Sequence, residues 1–260
     1  MLNKNLNLAL SLMIIVTFLI AANVTEAQDP VAHWSFDDVS GDTVPDSAGD
    51  NDGTIVGGVS VVAGAAGDAL EFDGSGYVDI GKEVAELGSE DFSISVWIKT
   101  PENNIPILSK GNGAAWEQNE KELYIANSGT SEGPNDGTVE IVGWGVDWIR
   151  GSERVDDDQW HHVVVTWDVD PGEGHVYVDG TEGTHEVGYN GGGDNAGDTV
   201  RIGFMESGHS TGNFVGLMDD LQIYQRTLSA DDVSALAQGP TAVESAGKLA
   251  LTWGSLKASK

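Results

Sequence analysis

The 260-residue chain has no cysteine. A disulfide framework, the usual support of small secreted domains, is therefore excluded, and so is attachment as a cysteine-linked lipoprotein. Basic residues are scarce: 12 Lys and Arg stand against 42 Asp and Glu, a net charge of −30. Such a surface repels phosphate backbones and anionic membranes, so nucleic acid is a poor partner. Long apolar runs are missing after the first residues, and the one at Leu8 to Ala22 is shorter than the roughly 20 residues a spanning helix needs. Catalytic signatures are missing too. There is no Gly-x-Ser-x-Gly elbow, no His-Glu-x-x-His and no Gly-rich phosphate loop.

The amino-terminal run does have an address. Lys4 gives a positive start, Leu8 to Ala22 an apolar centre, and Thr25-Glu26-Ala27 a small-x-small cleavage site. The expected division is a signal peptide at 1–27, a folded domain at 28–239 and a linker with a short extension at 240–260. An uncleaved anchor is the alternative. Cleavage would leave a protein that is secreted, held at the cell surface or periplasmic, with no membrane insertion.

What the chain has in quantity is glycine, 35 residues, between short runs that alternate apolar and polar. Strands are expected at 32–36, 69–72, 77–80, 92–99, 105–109, 122–126, 138–143, 161–167, 174–178, 199–203 and 214–224. The centre is Trp160 to Asp168 and His175 to Gly180, two runs joined by Asp170-Pro171-Gly172-Glu173-Gly174, with Asp179-Gly180 starting another reversal. One helix is expected near the end, capped by Ser229, with Asp231 and Asp232 in its first turn and an apolar side of Leu228, Val233, Leu236 and Ala237. Strands at this spacing without intervening helices give an all-β class: an antiparallel two-sheet jelly-roll sandwich with one short C-terminal helix. Leu249, Leu251 and Trp253 share one face of a further short strand in the extension.

The order of motifs resembles the laminin-G-like, concanavalin A-like lectin/glucanase jelly rolls of secreted bacterial proteins. His33 to Asp38 (HWSFDD) is similar to the opening strand of that family, and Asp46 to Thr54 (DSAGDNDGT) to its early turn. Ala69 to Gly81 (ALEFDGSGYVDIG), Phe92 to Lys99 (FSISVWIK), the WHHVVVTWD run, VYVDG, Arg201 to Phe204 (RIGF) and Phe214 to Val233 follow in the family's order. The resemblance covers about Val31 to Leu236. It implies a structural Ca²⁺ bound by Asp37, the Gly53 carbonyl and Asp219. The many carboxylates suit such a hard cation, or form a solvated coat suited to salt, and both can hold. In the alternative, Asp219 accepts backbone N–H bonds and Asp37 is a solvated turn residue. Alternation places Asp219 with Leu217, Leu221 and Ile223 on one face of its strand, at the core's rim.

A glycan or glycoprotein is the expected partner, because sugars stack on aromatic rings with polar groups beside them. If residues 142–148 form a strand, Val142, Trp144, Val146 and Trp148 share a face. That face is either a binding platform or core. The candidate ligand-binding residues are Trp116, Trp144, Trp148, Arg150, Asn135, Asp136 and Asn195. His161 and His162, adjacent on a strand, face opposite sides and cannot share a metal. The string Asp168-Val169-Asp170-Pro171-Gly172-Glu173 has glycanase-like spacing, but Pro-Gly places it in a turn, where its acids cannot line one face. The expected function is therefore non-catalytic recognition. A protein-binding adhesive module and a polysaccharide hydrolase or lyase are the alternatives.

Overall fold

Alternating inward Val, Ile, Leu and Phe side chains build two antiparallel sheets that close on one core. The computed structural model describes residues 29–82, 84–112, 117–127, 136–195, 197–204 and 212–239. Its first strands are β1 (Ala32–Trp34), β2 (Thr43–Val44), β3 (Gly53–Val56), β4 (Val59–Ala63), β5 (Asp68–Asp73) and β6 (Tyr77–Lys82). The middle of the chain gives β7 (Phe92–Lys99), β8 (Ile105–Gly111), β9 (Lys121–Ile125), β10 (Thr138–Gly143), β11 (Asp147–Arg154) and β12 (Trp160–Asp168). Then come β13 (Glu173–Val178), β14 (Thr181–Glu182), β15 (Thr184–Val187), β16 (Thr199–Ile202), β17 (Val215–Tyr224) and helix α1 (Ala230–Leu236).

The eight-stranded sheet runs β14-β13-β12-β7-β17-β5-β4, with β1 also on β17, and the nine-stranded sheet runs β15-β11-β10-β9-β8-β16-β6-β3-β2. This is the expected two-layer jelly-roll sandwich. Its core meets between them: Val96, Ile98, Val163, Val165 and Met218 from one sheet face Leu123, Ile125, Val139, Ile141 and Ile149 from the other, all essentially buried. Each such side chain contributes about 1.5–3 kcal/mol on burial.

The central hairpin forms as expected. Gly172, at φ +86°, closes the β12–β13 turn by donating to Asp168 O at 2.9 Å. Asp179 and Gly180, both at positive φ, turn β13 into β14. The acids of 168–173 thus sit around a turn. Helix α1 starts with a capping box: Ser229 accepts from the Asp232 N–H while Asp232 accepts from the Ser229 N–H. Leu228, Val233 and Leu236 lay it on Val164, Tyr177 and Tyr224, the far face of the eight-stranded sheet.

Two local expectations need correction. Residues 142–148 are not one strand. β10 ends at Gly143, the chain turns over Trp144-Gly145-Val146 with Gly145 and Asp147 at positive φ, and β11 runs back. Val142 and Trp148 share a face as a cross-strand pair, whereas Val146 is in the core and Trp144 stands at the tip. In β17, a register shift between Asp219 and Gln222, with Asp220 at φ +50°, breaks the alternation. Met218 therefore points into the core with Leu221 and Ile223, and Asp219 points away from it, opposite Trp97. The strands that sequence missed are mostly short or edge strands. β4, for one, is half-exposed to exposed along its whole length and lacks a buried stripe.

Candidate functional site

Asp37 and Asp219 come together, on the turn between β4 and β5. Asp219 Oδ2 accepts the Ala66 N–H at 3.0 Å and Asp37 Oδ1 accepts the Asp68 N–H at 2.8 Å. Glycines permit this approach: a Cβ would lie 2.4 Å from Asp219 Oδ2 at Gly64 and 2.1 Å from Asp37 Oδ1 at Gly67. Asp219 is fully buried and its Oδ1 has no hydrogen-bond partner. Burial pushes its carboxyl up to about 6, the charges of Asp220 and Asp37 add to this, and the Ala66 and Ala65 N–H groups oppose it. An orphaned carboxylate oxygen beside a second carboxylate fits a hard cation. Gly53 lies in the other sheet, where Val78, Ile80 and Val44 close on it and a Cβ would meet Val78 Cγ1 at 2.6 Å. Among the described residues no group of three or more His, Cys, Asp or Glu side chains converges as a metal site. The Asp46 loop is held by its own bonds: Asp46 accepts from the backbone N–H groups of His33, Ala48, Gly49 and Asn51.

The predicted ligand-binding residues divide into three places. Trp148 and Arg150 lie on the face of the nine-stranded sheet turned away from the core, where Trp148 packs on Tyr124, Ala126 and Val142. The Arg150 guanidinium stacks 4.0 Å from the Trp148 ring centroid and pairs with Glu140 at 3.3 Å and Glu186 at 2.9 Å. Tyr124 donates its hydroxyl to the same Glu140 oxygen at 2.9 Å. Arg150 is thus committed to the protein, and Trp148 is a packed residue of this second apolar patch. Asp136 stands at the opposite end of β10 from Trp144, roughly 25 Å away at strand rise, in a surface network with Arg154 and Asn103. Trp116 and Asn135 lie outside the described residues, as do the amino-terminal segment and the 240–260 extension.

Trp144 and Asn195 occupy the third place, linked through Asn119. Trp144 is 57% exposed and is the one exposed aromatic among the described residues. Its carbonyl accepts the Asn119 N–H at 3.0 Å, and Asn195 binds the Gln118 carbonyl at 2.7 Å and touches the Asn119 amide. This polar rim borders a cavity of about 550 Å³ lined by Glu86, Lys110, Asp194, Asn195, Asp198 and Gln225, with Val84 and Ala85 as its apolar wall. Its volume is that of a small-molecule site.

Two buried lysines hold the cavity's loop. Asp194 accepts from Lys110 Nζ, from Lys121 Nζ at 2.8 Å and from the Leu87 N–H at 3.0 Å. Burial raises the Asp194 carboxyl, but the two ammonium groups outweigh it and hold the group below the usual range. Burial lowers Lys121. Asp198 behaves differently: burial and the nearby Glu120 charge raise it, and its Oδ2 is buried without a partner. Sequence reasoning missed Lys110, Glu86 and Asp198. The available signal was two of only 12 basic residues ending core strands of an acidic chain.

The histidines behave as alternation requires. His161 turns to Asp157 and Asp179 on the surface, and His162 lies buried on the far face of the eight-stranded sheet, against Trp97 and 2.8 Å from Ser95 Oγ.

The family model described as the concanavalin A-like lectin/glucanases superfamily matches residues 72–234. The chain belongs to that superfamily. Among solved structures, domain 4 of AbnA, an extracellular GH43 arabinanase from Geobacillus stearothermophilus in complex with arabinotriose, gives a TM-score of 0.63 at 22% identity, covering 81% of this chain and 98% of that one. The binding domain of Paraclostridial Mosquitocidal Protein 1 gives 0.55 at 20% identity, covering 80% and 52%. The CBM40 of Ruminococcus gnavus IT-sialidase gives 0.51 at 23% identity, covering 65% and 96%. These likenesses fix the superfamily's sandwich as the fold. No curated protein matches in sequence. Among the described residues no helix is long and apolar enough to cross a membrane.

Proposed function

We propose that the chain is a secreted, non-catalytic carbohydrate-binding module. Its glycan stacks on Trp144 and bonds to the polar rim of Gln118, Asn119 and Asn195. The observation that carries this reading is the solvent-facing indole of Trp144. A large apolar ring held out at a hairpin tip beside amide groups is the arrangement a sugar face requires. Membership of a lectin/glucanase superfamily and the arabinotriose-bound relative support it.

Ca²⁺ bound at Asp37 and Asp219 belongs to the same proposal, as a stabiliser of the β4–β5 turn. It would neutralise the buried Asp219 charge and supply the partner that Oδ1 lacks. Backbone carbonyls and water would complete its coordination.

The hydrolase alternative rests on Glu122 and Glu140, diagonal neighbours on β9 and β10 facing away from the core. Both are closed off from solvent, and Glu140 is tied to Arg150 and Tyr124. A catalytic acid pair must flank a bond that reaches it, so this arrangement favours a structural role. A glycan array read with and without calcium tests the proposal. Binding to a defined saccharide family without release of shortened products supports it. Capture of a surface protein with an empty array supports the adhesive alternative, and product release from a polysaccharide supports the hydrolase.

A further inference from the structure

The cavity that Asn195 lines is built mainly from one sign of charge. Glu86, Asp194 and Asp198 line it against a single ammonium, Lys110. Lys110 donates to the Ala85 carbonyl and to Asp194, so its charge is committed within the wall. Lys121 also spends its charge on Asp194, while the charge of Glu120 reaches Asp198 and adds to the negative field there. Asp198 is only 5% exposed; its carboxylate has a side-chain hydrogen bond with Asn195, but its Oδ2 has no donor in the protein. A buried carboxylate oxygen without a donor costs free energy that a bound hydrogen-bond donor would recover, more so if that donor is charged.

We propose that this cavity binds the protonated amine of an amino sugar, with the Asp198 carboxylate as its counter-ion and Asn195 shared with the Trp144 rim. The proposal rests on the carbohydrate-binding reading of this end of the sandwich and names its substrate class. Three features point the same way. The cavity can hold a sugar ring as well as an ion. Its lining carries net negative charge. The chain's net charge of −30 draws cations and repels uronic and sialic acids.

The test is calorimetric or NMR titration of the full chain at pH 7 with glucosamine, glucose, N-acetylglucosamine, glucuronate and putrescine. Glucosamine should bind at least tenfold tighter than glucose and N-acetylglucosamine, and glucuronate least of all. Asp198→Asn removes the charge with little change of shape and should erase most of that preference, with an unchanged circular dichroism spectrum. Glu86→Gln, an exposed change that leaves the fold intact, should reduce the preference by a smaller factor. Equal binding of glucose and glucosamine would overturn the amine assignment while leaving the carbohydrate reading in place. Putrescine binding as tightly as glucosamine would overturn the sugar assignment. No binding by any sugar, with array glycans also unbound, would overturn both.

Discussion

The far sides of the two sheets are finished in different ways. On the eight-stranded sheet, α1 seals Val164, Tyr177 and Tyr224, and the β4–β5 turn seals Asp219. Several polar groups there bond to each other: His33 to Asp220 at 2.5 Å, Gln222 to Asp220 at 2.9 Å, and Tyr224 to Gln222. At the β10–β11 end of the nine-stranded sheet, an indole projects into water, and the neighbouring loop residue Asn195 lines a cavity. The closed side answers to stability, and the open end carries the proposed recognition. A substitution on each should change one property and spare the other.

The largest effect is expected where the open end is anchored. Asp194→Ala leaves Lys110 and Lys121 buried without their shared counter-ion, a loss of about 3–5 kcal/mol. Thermal or urea unfolding should show it. A loss under 1 kcal/mol would mean that the lysines find water and the anchor is dispensable.

On the closed side, 1 mM calcium should raise the melting temperature by roughly 5–10 °C if it saturates the Asp37–Asp219 site about a hundredfold above its dissociation constant. EDTA should reverse the shift, and Asp219→Asn should abolish it. No response to either reagent removes the metal from the account.

The buried histidine of that side gives a pH signature. Burial lowers His162 from 6.5 to about 4, against the weaker pull of Asp220 and Asp179. Above pH 6.5 the ring is neutral in both states. As pH falls from 6.5 towards 4, the unfolded chain takes up the proton first, and stability declines by about 3 kcal/mol from this group. His162→Gln should flatten the fall in melting temperature across that window. An unchanged slope would show that the ring is solvated in the fold.

A smaller effect is expected at the helix that seals the closed side. Ser229→Ala removes the cap and should cost about 1 kcal/mol, with glycan binding unaltered. Loss of binding in this variant would join the two regions that the fold keeps apart.

The sequence made the sandwich legible because core strands carry their own signal. β7 and β10 match the expected bounds, and β12 and β13 differ only by a residue or so at their ends, since buried alternation is written into each run. The helix was equally readable from Ser229, the acidic first turn and Val233. The candidate site was legible only in parts. Trp144 and Asn195 were named and are linked through Asn119, but Trp148 and Arg150 were grouped with them by an assumed strand that is a turn. Gly145 held that information through its positive φ, which composition alone does not reveal. Asp219 was recognised as an unusual buried acid, while the bulge at Asp220 reversed the face it occupies. The cavity was invisible because Glu86, Lys110 and Asp198 are far apart in sequence and join only through the packing of loops on strand ends.

Titration of the array-selected glycan into wild type and Trp144→Ala, with both melting curves recorded, tests the central claim most directly. The account predicts at least a tenfold loss of affinity with stability changed by less than about 0.5 kcal/mol. Undiminished binding in the variant would place recognition elsewhere on the molecule, and unfolding of the variant would show that Trp144 supports the fold.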